Sequence, residues 1–343
     1  MKKFAALLLA LSLTLALTAC GGGKNSGGSS DSGTSAPSNG PGSSGGDAPH
    51  YTIGISQYGE HGSLDNCRIG FLQGLAEAGI VEGENLIVDY QNAGFDDSIA
   101  TQIGQSFSAS GVDLMVAIAT PSATACFAAA EDKDIPVIFT AITDPVGAKL
   151  DSGNITGTSD VLPVAGQLQL IRDLQPQAKT VGIVYTTSEA NSVYSVGVYE
   201  DLAADYGLTV ETVGVTAQSE VTQAVDALIS RGVDCISNLT DNTVVGVLPA
   251  ILEKTNEAGI PVYGSEVEQM KLGCVAGAGL DYIKLGIQTG QMAAKVLKGE
   301  AACQDLPYEI IENFDLYINP ETLDAMGLVI PESVSSNAID VTA

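Results

Sequence analysis

The sequence predicts an α/β fold: a clamshell of two doubly wound βα lobes around a central cleft. Three observations predict it. First, residues 113–145 read as one βαβ unit. An almost wholly apolar run over 113–119 turns at Thr120-Pro121-Ser122, an alanine-rich helix reaches about residue 130, and a second apolar run covers 135–140. Short apolar runs around a helix suit parallel strands buried on both faces. Second, the strand–helix alternation restarts at Pro163. The folding part of the chain, roughly 290 residues, is enough for two domains. Third, the expected strands end in polar loops. Right-handed crossovers bring such loops to one sheet edge, and open α/β sheets bind ligands there.

The chain starts with Met1-Lys2-Lys3, followed by residues 4–17, apolar apart from Ser12 and Thr14. Residues 1–19 form a secretory signal, too short and too closely followed by glycine for an ordinary membrane span. Leu17-Thr18-Ala19-Cys20 resembles the processing box of bacterial lipoproteins. That resemblance implies cleavage before Cys20 and a diacylglycerol on its sulfur. An acylated amino terminus adds a further chain, and firm anchoring takes more than one. Residues 20–49 are then the acylated Cys20 and a flexible Gly/Ser-rich tether, too poor in apolar groups to fold.

The signal holds two of the 14 Lys and Arg, so 12 basic side chains face 41 acidic ones in the remainder, a net charge near -29. That balance argues against nucleic acid and against a polyanionic partner. Cys67, Cys126, Cys235, Cys274 and Cys303 show no metal-ligand spacing. They are expected as buried free thiols, with one disulfide as the alternative in an exported protein. His50 and His61 cannot build a zinc centre unaided, and no His-Glu-x-x-His motif occurs. From residue 50 onward there is neither a Gly-x-Ser-x-Gly elbow nor a phosphate-binding Gly-x-x-x-x-Gly-Lys-Ser/Thr loop. Neither metal, nor cofactor, nor enzyme activity is expected.

In the first lobe, expected to span 50–160 plus about 280–307, a strand over 51–56 leads through loop 57–64 into a helix over about 65–78. Ile69, Leu72 and Leu75 give that helix its apolar spacing and Gly79 ends it. A strand over 86–90 and a helix over 98–110 precede the βαβ unit, and a strand over 154–159 ends in Asp160. The second lobe, 161–279 plus about 308–337, begins with a helix over 163–174, with Pro163 suited to its first turn. Strands are expected over 180–185, 208–214, 234–238, 260–263 and 273–279. Helices fall between them, reaching about 206, over 220–230, and from Thr240-Asp241-Asn242-Thr243 to about 258. Leu280-Asp281-Tyr282 leads into a helix to about 297. Residues 308–318 read as extended chain crossing back between lobes. Asn319 caps a short helix to about 326, with Pro320 in its first position.

Six segments at expected strand ends, in order, carry a more specific likeness. They are Gln57-Tyr58-Gly59-Glu60-His61, Ala119-Thr120-Pro121-Ser122-Ala123, Phe139-Thr140-Ala141-Ile142-Thr143-Asp144-Pro145, Ser188-Glu189-Ala190-Asn191-Ser192, Thr240-Asp241-Asn242-Thr243 and Gly264-Ser265-Glu266-Val267-Glu268. Together they make residues 51–330 resemble the tryptophan/tyrosine-type substrate-binding lipoproteins of bacterial ABC importers. The resemblance implies a type I periplasmic-binding fold that captures an L-aromatic amino acid outside the cell, as a monomer. The ligand then passes to a membrane permease powered by an ATPase.

An α-amino acid presents a carboxylate, an ammonium and a side chain. The carboxylate wants hydroxyls and helix N–H groups, which points to Thr120, Ser122 and the N–H of Ala123, with Thr140 beside them. The bland alternative for Thr120 or Ser122 is an N-cap. The ammonium wants acceptors: Asp241 first, then Glu266, Asp144 and Glu189. Asp241 and Glu266 compete with helix-capping roles, and Asp144 before Pro145 with bracing a turn. Tyr58, His61 and Leu64, with Gln57 in the same loop, are candidates for the ring pocket. Asn191 suits either pole of the ligand, or caps its own helix. Asp160, Ser188 and Asn242 complete the candidate set. Phe127, Phe139, Tyr185, Tyr194, Tyr199 and Tyr206 read as packing. Other ligands for such a clamshell are a branched-chain amino acid, a sugar or a nucleoside, although sugar sites usually stack on Trp or Tyr and this chain has no Trp. A surface sensor or adhesin without transport is the remaining alternative.

Overall fold

The computed structural model describes residues 50–311 and 314–343. The signal, Cys20 and the tether lie outside the described residues. The chain runs β1 (Tyr51–Gln57), α1 (Gly62–Glu77), β2 (Leu86–Asn92), α2 (Asp97–Ser110), β3 (Leu114–Ile118), α3 (Thr120–Ala130), β4 (Val137–Ile142) and β5 (Ile155–Ser159). It continues with α4 (Val164–Leu174), β6 (Thr180–Thr186), α5 (Ala190–Leu202), β7 (Thr209–Val215), α6 (Gln218–Arg231), β8 (Cys235–Ser237), α7 (Asn242–Val245), α8 (Leu248–Ala258), β9 (Val262–Tyr263), α9 (Val267–Leu272) and β10 (Ala276–Gly279). The last stretch holds α10 (Tyr282–Leu297), β11 (Glu309–Ile310), β12 (Asp315–Ile318), α11 (Pro320–Ala325), α12 (Glu332–Ser335) and β13 (Ala338–Asp340).

The first lobe is a six-stranded parallel sheet in the order β11-β5-β4-β3-β1-β2. β3, β4 and β5 are buried along their whole length, as sheets covered by helices on both faces require. The second lobe orders β7-β6-β8-β9, all parallel. Gly264 N–H donates to Ala276 O (2.9 Å) and Val275 N–H to Val262 O (2.8 Å), so β10 continues that sheet beside β9. β12 then pairs antiparallel with β10, and β13 parallel with β12. All parallel strands of a lobe point the same way, so their carboxyl-end loops collect on one edge. The two edges face each other.

α1 and α10 pack backbone to backbone. Gly70 and Gly74 on α1 lie against the carbonyls of Ile283 and Ile287, and Gly286 and Gly290 on α10 lie against those of Cys67 and Phe71. A Cβ at any of the four would overlap those oxygens, so only glycine permits this approach. The pair covers one face of the first sheet and carries the start of α10 to the cleft.

Several expectations are corrected. The single helix expected from residue 240 to about 258 is two, α7 and α8. Pro249 has no N–H for the carbonyl of Val245, so the chain breaks at Gly246-Val247 and restarts with proline in the first turn. The strand expected over 273–279 begins only at Ala276, and residues 267–272 wind into α9. α1 starts at Gly62, which shortens the preceding loop, and α3 starts at Thr120. Residues 309–310, expected with the second lobe, pair with β5 at the edge of the first sheet. β13 adds a strand where none is expected.

Candidate ligand-binding site

Between the two loop-bearing edges lies a small buried cavity. The first lobe supplies His61, Leu64, Ala141, Thr143 and Asp160; the second supplies Asn191, Thr240, Asn242 and Glu266, and Tyr282 at the start of α10 closes it. Among the described residues no Lys or Arg lines it. Ala141 sits at a register shift between β4 and β5, with φ 60°, and Ala119 at the end of neighbouring β3 has φ 79°. Non-glycine residues in this region store about 1–3 kcal/mol each and cluster at binding sites. Here they turn two adjacent strand ends toward the cleft.

Two carboxylates meet in this cavity from opposite lobes. Asp160 follows β5 and accepts from Thr143 Oγ1 (2.9 Å) and Tyr282 OH (2.7 Å). Glu266 follows β9 and accepts from Gln269 Nε2 (2.9 Å). Both are about 99% and 98% removed from solvent, at 1% exposure for Glu266 and 2% for Asp160. Burial pushes Glu266 up to about 7 and raises Asp160 above the usual carboxylate range, where the charge of Glu266 adds to the effect. Two buried acids with no Lys or Arg beside them suit a group that is positive and donates hydrogen bonds.

Asp241 and Glu189 do different work. Asp241 accepts from Thr186 N–H (2.5 Å), Thr186 Oγ1 (2.8 Å) and Val244 N–H (2.9 Å), so it caps α7 and ties it to the end of β6. It does not line the cavity. The expectation that Asp241 meets the ligand ammonium is therefore corrected: its oxygens are taken by the N–H and hydroxyl of Thr186 at the end of β6 and by one N–H that the start of α7 leaves unpaired. Glu189 completes the same cap. It takes the N–H groups of Asn242 and Thr243 (both 3.0 Å), Thr243 Oγ1 (2.8 Å) and Asn242 Nδ2 (2.6 Å). Burial, then the charge of Asp241, raises it to about 7.

Glu189 thereby fixes two amides of the cavity wall. Asn191 Nδ2 donates to Glu189 Oε2 (3.3 Å) and Thr240 O (3.2 Å), and its Oδ1 is buried without a partner among the described residues. Asn242 turns its Nδ2 to Glu189 and its Oδ1 to His61 Nε2 across the cleft, at 3.4 Å. His61 must then carry its proton on Nε2. Burial lowers its pKa to about 4, so it is neutral at pH 7 and its buried Nδ1 is an acceptor. The ring lies parallel to Phe95, with centroids 6.4 Å apart.

The remaining candidates stand outside the cavity. Ala123 N–H is used by Ala119 O (3.0 Å), and Ser122 Oγ accepts from Ser56 Oγ (3.1 Å) inside the first lobe. Thr120 faces a separate outer groove between α2 and α3. Thr140 does not line the cavity; it sits under α10, in a chain of hydroxyls through Thr158 to Thr289. The expected carboxylate cradle of Thr120, Ser122, Ala123 and Thr140 is thus not at the cavity, because α3 begins two residues early and closes its own first turn. Asp144 braces a turn by accepting from Gly147 N–H (2.9 Å). Gln57 holds its own loop through Gly59 O (2.7 Å) and Asp65 (2.9 Å), and Tyr58 OH donates to Asp97 (2.9 Å). Ser188 is exposed on the rim. Ala141, Thr143, Thr240 and Tyr282 were not among the expected site residues. The strand-end rule applied to Leu280-Asp281-Tyr282 would have found Tyr282; nothing in the sequence marks the backbone turn at Ala141.

Residues 52–342 match the family model described as ABC transporter substrate binding protein. A tyrosine-binding protein of Clostridioides difficile (strain R20291) is 39% identical over 282 residues, 80% of this chain and 81% of that protein. The crystal structure of an ABC domain in complex with L-Trp from Streptococcus pneumonia is 36% identical, with a TM-score of 0.81 over 84% of this chain and 100% of that one. A ligand-free, open substrate-binding protein with adhesive properties from Clostridium difficile is also 36% identical, but its TM-score is 0.63, over 84% and 99% of the two chains.

Proposed function

The chain belongs to the ABC transporter substrate-binding protein family, a non-catalytic family of solute carriers, and on that premise we propose that it captures an L-aromatic amino acid in the interlobe cavity. Tryptophan or tyrosine is preferred to phenylalanine. The loaded protein delivers its ligand to a membrane permease driven by an ATPase. The observation that carries this reading is the pairing of Asp160 and Glu266 across a buried cavity whose one basic side chain, His61, is held neutral by burial. Relatives 39% and 36% identical to it over the aligned region are described, respectively, as tyrosine-binding and as a complex with L-Trp.

In this reading the ligand ammonium lies between Glu266 and Asp160. The charge-assisted bonds it makes there are worth about 1.5–3 kcal/mol each. The ligand carboxylate takes the hydroxyl of Thr240, which lines the same cavity. Leu64, Ala141 and the His61 ring supply the apolar wall for the aromatic side chain. A thermal-shift screen of the purified protein against the twenty amino acids, sugars and nucleosides tests the ligand class. Stabilisation by tryptophan or tyrosine is expected. Stabilisation by a sugar or nucleoside alone overturns it.

The protein is held at the outer face of the cell membrane by lipid on Cys20, and the tether lets the clamshell reach its permease. Metabolic labelling with a fatty acid should mark the wild type and not Cys20→Ser. An unlabelled, freely secreted wild type would end the anchoring proposal.

A further inference from the structure

We infer that Asn191 reads the ring donor of the bound amino acid, a tyrosine hydroxyl or a tryptophan indole N–H, and that Glu189 is the positioning residue that aims it. The inference rests on the reading of the cavity as an aromatic amino-acid site. Asn191 is 4% exposed, lines the cavity, and has a buried Oδ1 with no partner among the described residues. A buried acceptor left unpaired is costly, so a donor brought by the ligand is its natural partner.

The direction of the amide is fixed by its surroundings. Nδ2 faces Glu189 Oε2 (3.3 Å), Thr240 O (3.2 Å) and Ser192 Oγ (3.4 Å). Turning the amide over would set its oxygen against a carboxylate and a carbonyl. The atom offered to the ligand is therefore an acceptor only. That excludes the ligand carboxylate as its partner. The ammonium is drawn by charge to Glu266 and Asp160, which leaves the side chain. The neighbouring amide oxygen, Asn242 Oδ1, is already met by His61 Nε2.

Position agrees with this division. Asn191 follows β6 and Glu266 follows β9, and β8 lies between these strands. Their loops are thus about two strand spacings apart, ~9.5 Å. The two loops therefore address different ends of one ligand, the ammonium at the Glu266 loop and the side chain at the Asn191 loop. Phenylalanine fills the same span and offers no donor at the far end.

Calorimetric titration of the wild type, Asn191→Ala, Glu189→Gln and His61→Phe with L-tyrosine, L-tryptophan and L-phenylalanine tests the inference. The wild type should bind tyrosine or tryptophan about tenfold or more tighter than phenylalanine, the discrimination one neutral hydrogen bond gives. Asn191→Ala should bring that ratio toward one. Glu189→Gln should move it in the same direction, because a neutral amide no longer holds Asn191 in one orientation. The ratio does not depend on how much of a variant folds, and a general loosening weakens all three ligands alike. If Asn191→Ala does not melt cooperatively, Asn191→Gln replaces it, carrying the amide one methylene out of place. Equal losses for all three ligands, a wild-type ratio near one, or a ratio that collapses only in His61→Phe would overturn the inference. A wild type that binds none of the three would instead overturn the functional reading beneath it.

Discussion

At the scale of single residues, the cleft holds four buried carboxylates with two different jobs. Asp241 and Glu189 saturate the first turn of α7, while Asp160 and Glu266 keep acceptor capacity in the cavity. Glu266→Gln should weaken ligand binding by about 10- to 100-fold, the loss of one charge-assisted hydrogen bond. Asp241→Ala should act on stability instead, lowering it by about 2–4 kcal/mol through a lost cap and stranded backbone donors. Chemical denaturation alongside titration separates the two effects; equal affinity losses in both variants would contradict the division. Acidity gives a second check. Glu266 is raised to about 7 in the closed, ligand-free cavity, and an ammonium favours its ionised form. Binding should therefore release a proton below about pH 7, and affinity should rise with pH from the ordinary glutamate range up to that value, by at most about tenfold per pH unit. His61, held near 4, stays neutral through most of that window. The slope should fall in Glu266→Gln, and calorimetry in buffers of different ionisation enthalpy measures the proton directly. Sequence reasoning brought Asp160, Glu266, Asn191, Asn242, His61 and Leu64 into the candidate set. It ranked Asp241 first because an acid at a strand end looks the same whether its oxygens face a ligand or a helix start; only the turn of the chain decides.

At the scale of elements, the strand ends were legible and the helix starts were not. Apolar runs bounded by turn residues located nearly all the strands, since burial on both faces leaves a plain signature. The cradle expected at Thr120 and Ser122 failed because α3 begins at Thr120 and absorbs the donors that a later start would have left open. The break between α7 and α8 was written in Pro249, whose missing N–H ends one helix and suits the beginning of the next. Less visible was the role of four glycines in the α1–α10 pair, since their spacing carries meaning only once the helices are known to touch. Gly74→Ala sets a Cβ into the carbonyl of Ile287, and Gly290→Ala into that of Phe71. Each should lower stability by about 1–3 kcal/mol by forcing the helices apart. Urea denaturation measures this; an unchanged midpoint would show that the pair has room to spare.

At the scale of the whole molecule, the lobes are closed on each other. Asn66 Nδ2 on α1 donates to Glu268 Oε1 on α9 (2.9 Å), and His61 reaches Asn242 across the cleft. The higher TM-score to the L-Trp complex than to the open relative, 0.81 against 0.63 at the same identity, agrees with a closed clamshell. Ligand should therefore shift the protein in solution toward this shape, and small-angle scattering should record a smaller radius of gyration on titration. An unchanged radius with saturating ligand would contradict a hinge. Closure is not constrained by disulfides among the described residues, where Cys67, Cys126, Cys235, Cys274 and Cys303 are all buried and free. The central claim is the aromatic ligand, and calorimetric titration of the ligand-free wild type with L-tryptophan and L-tyrosine tests it most directly. One saturable site per chain for at least one of them is expected. Silence toward both, with tight binding of a sugar, nucleoside or branched-chain amino acid, would contradict it.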